Sequence, residues 1–127
     1  MPDADAVIPG KGNLSSAGDR TVLAAFEAKT RELAQLGCYP SGDFNVGWLD
    51  CSYCCRIIAD VGGLPGPRGY LPPEEVRERF ETAKWLVVQP IARGPDPYPP
   101  PSEYELHLIA KSFVDLCVKH GLAIEFT

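Results

Sequence analysis

Apolar residues repeat along much of this chain with the period of an α-helix. Val22, Phe26, Leu33 and Leu36 recur at steps near three and four, which predicts a helix with one apolar stripe over 19–36. The same kind of spacing predicts three more helices, at about 51–61, 72–83 and 102–120. Capping residues bound three of the four: Asp19 with Gly37, Asp50 with Gly62, and Ser102 with Gly121.

Strand patterns are fewer and shorter. Residues 85–90 are the strongest candidate, a β-rich apolar run that ends at a proline, and residues 122–126 form a terminal strand. With helix 102–120 between them, these strands predict a β-α-β unit. Alternating apolar residues over 44–48 suggest one further short strand.

The predicted fold class is therefore α+β. We expect a single compact domain over 19–127, with about four helices and a small sheet that includes the C-terminal β-α-β unit. Residues 1–18 are polar, contain glycine and show no period, which predicts a flexible N-terminal arm.

The size and net charge of the chain argue against two classes of binding function. A chain of 127 residues with a formal net charge of −5 and no basic stripe is a poor candidate for binding nucleic acid or an anionic membrane. No apolar run approaches the length of a bilayer span, and the first residues lack the pattern of a signal peptide. We therefore expect a cytoplasmic protein, where five cysteines serve as thiols, ligands or catalytic groups rather than disulfides.

The richest chemistry lies in the segment Asp50-Cys51-Ser52-Tyr53-Cys54-Cys55, which holds three of the five cysteines. Cys51 falls at the predicted start of a helix, with Asp50 as the predicted N-cap. Unpaired backbone N–H groups and the helix dipole favour a thiolate at that position. The adjacent carboxylate of Asp50 acts in the opposite direction. Cys51 is therefore a candidate nucleophile.

A loop of glycine and proline follows this helix. The residues that match a known pattern are Asp50-Cys51-Ser52, Gly63-Leu64-Pro65 and Arg68. Over about 33–70 the chain resembles the nucleophile segment of NlpC/P60 cysteine peptidases, in which Asp-Cys-Ser opens a helix that ends at Gly before a Leu-Pro-Arg-like loop. Tyr53 stands where that family has Gly.

The resemblance implies a thiol-dependent hydrolase of peptide or amide bonds, with Cys51 as nucleophile and a histidine as general base. Backbone N–H groups at the helix start would hold the oxyanion. The family's histidine opens a β-hairpin, whereas His107 and His120 both fall on or at the end of the last predicted helix. They are candidate bases because the chain has no other histidine. The candidate binding residues around the nucleophile are Trp48, Tyr53 and Arg68.

Three alternatives to the hydrolase use the same cysteines differently. Cys51 and Cys54 form a Cys-x-x-Cys pair at a helix start, the pattern of thiol oxidoreductases. Cys51, Cys54, Cys55 and a histidine could hold zinc, but only half of a paired site is present, and we expect no metal or cofactor. Cysteine also packs as a small apolar residue, which would fit a non-catalytic binding protein with a protein partner. The sequence makes no prediction about oligomeric state.

Overall fold

The computed structural model describes residues 2–40, 43–86 and 103–127. Within them the chain forms an α+β domain of five helices and a five-stranded sheet, as the sequence predicts. In chain order the elements are β1 (Ala4–Ile8), β2 (Gly12–Asn13), α1 (Leu14–Ala17), α2 (Arg20–Gln35), a 3-10 turn (Phe44–Val46), β3 (Trp48–Leu49), α3 (Ser52–Val61), β4 (Gly69–Leu71), α4 (Pro73–Phe80), α5 (Glu103–His120) and β5 (Ala123–Phe126).

Every strand pair in the described sheet is antiparallel. The strand order is β2-β1-β5-β4, and β3 pairs with the first residues of β1. The register places Asp5 opposite Glu125 and Ala4 opposite Leu49. The end of β3, which leads into α3, therefore lies beside the start of β1.

The N-terminal segment is not the flexible arm that its sequence predicts. Residues Ala4–Ile8 form β1, which hydrogen-bonds to three other strands and lies inside the sheet. Ala4 and Ala6 face the core and are almost fully buried. Because their side chains are small, the local sequence shows only a weak apolar pattern and does not predict a strand. The strand is seen only in the structure, where it pairs with β5.

The C-terminal β-α-β unit also differs from its prediction. Trp85 and Leu86 have irregular structure, and 87–90, the rest of that predicted strand, lies outside the described residues. Both hydrogen-bonding edges of β5 are occupied by the antiparallel strands β1 and β4. Strand β5 therefore has no free edge for the parallel partner that the sequence pattern suggested.

The helices agree more closely with the pattern of apolar positions. Asp19 caps α2 by accepting a hydrogen bond from the Val22 N–H at 3.1 Å, and Gly37 follows the helix with a φ of 79°. Helix α5 ends at His120, and Gly121 adopts a left-handed φ of 64°. The predicted Ser102 cap lies outside the described residues.

A cluster of three phenylalanines forms the centre of the core. Phe26 of α2, Phe44 of the 3-10 turn and Phe113 of α5 are buried, and their ring centroids lie 5.8 to 6.1 Å apart in tilted or edge-on contacts. Helix α3 packs against α5 beside this cluster. The predicted strand over 44–48 is thus mostly the 3-10 turn, and only its last residue, Trp48, belongs to β3.

Candidate functional site

Cys51 is the N-cap of α3, one residue later than the sequence predicts. Its backbone is extended, with φ −152° and ψ 106°, and its Sγ accepts a hydrogen bond from the Cys54 N–H at 3.2 Å. A sulfur atom therefore takes the capping role expected of Asp50, which is exposed. The thiol lies outside the first helical turn and faces its free N–H groups.

These surroundings stabilise a thiolate. The pKa of Cys51 is lowered from 9.0 to about 6, chiefly because the thiol of Cys54 donates a hydrogen bond to it. Partial burial opposes this effect, while the backbone N–H groups of Cys54 and Tyr53 add to it. The Asp50 carboxylate raises the pKa but is the smallest of these influences. Near neutral pH Cys51 is therefore largely ionised.

Cys54 has the opposite character. It is fully buried, and its pKa is raised because its thiol proton is held by Cys51 and because burial disfavours a second charge. Its Sγ also lies 3.8 Å from the backbone carbonyl oxygen of Leu106 on α5. In the geometry of the site, Cys54 donates its backbone N–H to the Cys51 sulfur and its thiol to the Leu106 carbonyl. The pair consists of a half-exposed thiolate and a buried thiol.

The other three cysteines are core residues. Cys38, Cys55 and Cys117 are at most 2% exposed. Burial raises the pKa of Cys55 to about 12, with the charges of Cys51, Asp3 and Asp50 acting in the same direction, and burial also raises the pKa of Cys117. All three belong to the hydrophobic core, and Cys55 and Cys117 pack there as small apolar residues.

Neither histidine shares a hydrogen bond with Cys51 in the described part of the chain. His107 is buried, and its Nδ1 accepts a hydrogen bond from the Leu86 N–H at 3.4 Å, with the ring against Trp85 at 6.1 Å. His120, the last residue of α5, has a buried Nε2 for which the described residues offer no partner. Among the described residues, the structure therefore shows no hydrogen bond between the nucleophile and either candidate base.

The three candidate binding residues occupy different surroundings. The indole Nε1 of Trp48 donates to the Asp3 carboxylate at 2.8 Å, which ties β3 to the start of β1. Tyr53 is 65% exposed on the first turn of α3. Arg68 lines a surface depression of about 410 Å³ together with Arg56. Only Tyr53, through its backbone N–H, acts directly on the Cys51 thiol.

Sequence patterns did not indicate two partners of this site. The Leu106 carbonyl meets Cys54 across 52 residues of chain, a contact that only the packing of α5 on α3 creates. Arg56 lies three residues after Tyr53, with its guanidinium 6.0 Å from the ring centre. That i,i+3 spacing places the two side chains on one face of a helix and could have suggested their contact.

In the residues that the structure describes, no three histidine, cysteine or carboxylate side chains converge as a metal site would require. None of the helices in the same ranges combines the length and apolar character needed to cross a membrane. No family model, no curated protein and no solved structure matches this chain.

Proposed function

We propose that this protein carries out thiol–disulfide exchange with Cys51 as the attacking thiolate and Cys54 as the resolving thiol. The observation that carries the proposal is the geometry at the start of α3, where the partly buried Cys51 sulfur accepts a hydrogen bond from the backbone N–H of Cys54, a residue whose own thiol is buried. A reactive, accessible thiolate beside a protected second thiol is the arrangement that such exchange requires. The metal alternative has no comparable support.

The chemistry proceeds in two balanced steps. The Cys51 thiolate attacks one sulfur of a substrate disulfide, which forms a mixed disulfide and releases the first substrate thiolate. Cys54 then gives its proton to the departing thiolate and attacks the Cys51 sulfur. The second substrate thiol leaves, and a Cys51–Cys54 disulfide remains. The substrate gains the two electrons that the two cysteines lose. One substrate thiol takes its proton from Cys54, and the first substrate thiolate takes a proton from water. A second dithiol restores the starting state by the reverse route.

Burial suits Cys54 to the second step rather than the first. Its pKa is raised, so the thiol stays protonated and does not compete for the substrate. Once Cys51 is joined to the substrate, its sulfur carries no negative charge and no longer holds the Cys54 proton. The Leu106 carbonyl then remains as an acceptor for that thiol.

The test is to trap the mixed disulfide. With a neutral disulfide such as 2-hydroxyethyl disulfide, the native protein should become two hydrogen atoms lighter, and Cys54→Ser should instead retain one substrate half on Cys51, because a serine hydroxyl cannot resolve it. Cys51→Ser should not react. Intact-protein mass spectrometry and peptide mapping separate these products.

Cys55→Ser is the matched control, since Cys55 is adjacent, equally buried and outside the exchange. It should behave as the native protein does. A Cys54→Ser variant that releases the substrate half as fast as the native protein would contradict the role of Cys54. A Cys51 that no disulfide modifies until the chain unfolds would favour a non-catalytic binding protein with structural cysteines.

A thiol hydrolase of peptide or amide bonds is a second proposal, favoured by the lowered pKa of Cys51. Two features speak for exchange instead. The Cys54 N–H, which would be an oxyanion donor, is bonded to the Cys51 sulfur itself, and neither described histidine is bonded to that sulfur. Amide hydrolysis that survives Cys54→Ser and disappears in Cys51→Ser would establish the hydrolase.

We also propose a cytoplasmic location. Exchange by this pair needs its cysteines returned to the reduced state, and the cytosolic thiol pool provides the reductant.

A further inference from the structure

The depression that contains Arg68 lies at the same end of the molecule as Cys51. Pro2, which precedes β1, forms part of its wall. Because Ala4 pairs with Leu49 in antiparallel register, residues before Ala4 lie beside residues after Leu49, where Cys51 follows. The depression also includes Arg56, five residues after Cys51 and therefore roughly 7.5 Å further along the α3 axis.

The two arginines of this depression have no acidic partner among the described residues. In the described ranges, neither Arg56 nor Arg68 forms an ion pair, whereas Arg79 is bound to Glu75 at 2.8 Å. Both guanidinium-bearing residues are exposed, and Arg56 lies over the ring of Tyr53. The depression is lined by Pro2, Arg56, Pro67, Arg68, Gly69, Phe126 and Thr127, and none of these has an acidic side chain. In a chain of 17 acidic and 12 basic residues, its two arginines form a local site for an anion.

The apolar lining of the depression sets a second requirement for a ligand. Its floor and walls include Phe126, which is 5% exposed, and the rings of Pro2 and Pro67. A ligand there would place a short apolar segment on these side chains and an acidic group at the arginines. Asp50, beside Cys51, acts against anions at the sulfur itself, so the acidic group must lie a few bonds away from the reacting disulfide.

We propose that the depression lined by Arg56 and Arg68 binds a carboxylate of the substrate, and that the substrate class is anionic disulfides with the carboxylate a few carbon atoms from the sulfur. This inference rests on the exchange reaction proposed above. It predicts which disulfides react fastest. It also assigns Arg56 and Arg68 to substrate binding rather than to the activation of Cys51.

Three disulfides of nearly the same size test the inference: 3,3′-dithiodipropionate as a dianion, 2-hydroxyethyl disulfide as a neutral compound and cystamine as a dication. The rate constant for modification of Cys51 is measured with each. After correction for the intrinsic reactivity of each disulfide with a small thiol, we expect the dianion to react about tenfold faster than the neutral compound and the dication to react slowest. Salt at about 1 M should remove most of this difference.

Arg56→Gln and Arg68→Gln should each reduce the rate with the dianion several-fold, and the double variant should react equally with dianion and neutral compound. The readout is the ratio of the dianion rate to the neutral rate in each variant, and thermal unfolding shows separately that the variants are folded. Arg31→Gln is the control, because Arg31 is an exposed arginine of α2 outside the depression. It should leave all three rates as they are.

The outcomes separate this inference from the proposed function. A native protein that reacts equally with all three disulfides, that prefers the dication, or whose preference survives the double variant would overturn the anion site and leave exchange intact. A neutral disulfide that does not modify Cys51 at all would overturn the exchange reaction, and the anion site with it.

Discussion

At the scale of single residues, Cys51 and Cys54 are three positions apart on one helix and have opposite acidities. Cys51 is the cap, and its sulfur accepts a hydrogen bond from the Cys54 N–H, whereas the Cys54 side chain is buried and its thiol donates to the Leu106 carbonyl. The difference comes from burial and from the direction of hydrogen bonds. One side chain therefore lowers the pKa of the other.

Cys54→Ala should raise the pKa of Cys51 well above 6, because it removes the largest stabilising contact of the thiolate and leaves only the backbone N–H groups. The pH dependence of Cys51 alkylation, resolved by peptide mass spectrometry, measures this change. Cys55→Ala should leave the midpoint where it is, since Cys55 does not contribute to the lowered value. An unchanged midpoint in Cys54→Ala would show that the backbone alone activates Cys51.

The sign of the linked stability follows from the same lowered pKa. The pKa of Cys51 is lower in the folded protein than its ordinary value of 9.0, so ionisation of Cys51 adds to the stability of the fold, and this contribution is complete above pH 9.0. This contribution is lost as the pH falls through about 6. The native protein should therefore lose stability relative to Cys51→Ser between those two pH values as the solution is acidified.

At the scale of elements, the junction of α3 and α4 holds the cysteine helix in place. Gly62 ends α3, and its carbonyl accepts a hydrogen bond from the Arg79 guanidinium at 2.9 Å. Phe80 packs directly over Gly62 and stacks on Trp85 at 6.2 Å. The absence of a side chain at Gly62 lets the two helices approach this closely.

Gly62→Ala should destabilise the fold by about 1–3 kcal/mol through overpacking. A Cβ there would lie 2.6 Å from Cζ of Phe80, a ring that is 5% exposed and has little room to move. Urea denaturation of the native and variant proteins measures the difference. Gly66→Ala is the control, because no atom lies within 4 Å of a Cβ at that position. Equal stability of the two variants would mean that Phe80 moves aside without cost.

At the scale of the whole molecule, β1 and β5 join residues from opposite ends of the sequence. Backbone hydrogen bonds between Asp3 and Thr127 extend the ladder, and their side chains are also hydrogen-bonded. The same ladder places Asp5 directly opposite Glu125. Like charges at facing positions destabilise a sheet. The backbone hydrogen bonds between β1 and β5 therefore stabilise the fold, while the facing carboxylates of Asp5 and Glu125 oppose this effect.

Asp5→Asn should stabilise the protein at pH 7 by up to about 1 kcal/mol. Burial and the charges of Asp3 and Glu125 raise the pKa of Asp5 in the folded protein. The folded protein therefore loses stability as the pH rises and Asp5 ionises. The gain should therefore disappear as the pH falls below the ordinary value of 3.8. Thermal unfolding at pH 7 and below pH 3.8 measures the difference, with Glu27→Gln at an exposed position of α2 as the control. A variant no more stable than the native protein at pH 7 would contradict the repulsion.

The amino-acid sequence by itself determined the four longer helices and the position of Cys51, whereas the short helix α1 falls in the segment predicted to be an arm. Apolar spacing, the Asp19 cap and the glycines at 37 and 121 act between residues within a few positions of one another, so these features can be predicted from the printed sequence. The placement of Cys51 at a helix start was likewise a local property, although the cap proved to be Cys51 rather than Asp50.

Tertiary structure decided the rest, because it depends on contacts between distant segments. Strand β1 contains the small residues Ala4 and Ala6 and pairs with β5, a strand from the other end of the sequence. The burial of Cys54 and its contact with the Leu106 carbonyl require α5 to pack on α3. The contacts of His107 with Leu86 and Trp85 also join distant segments. The spacing of residues along the chain does not predict any of these contacts.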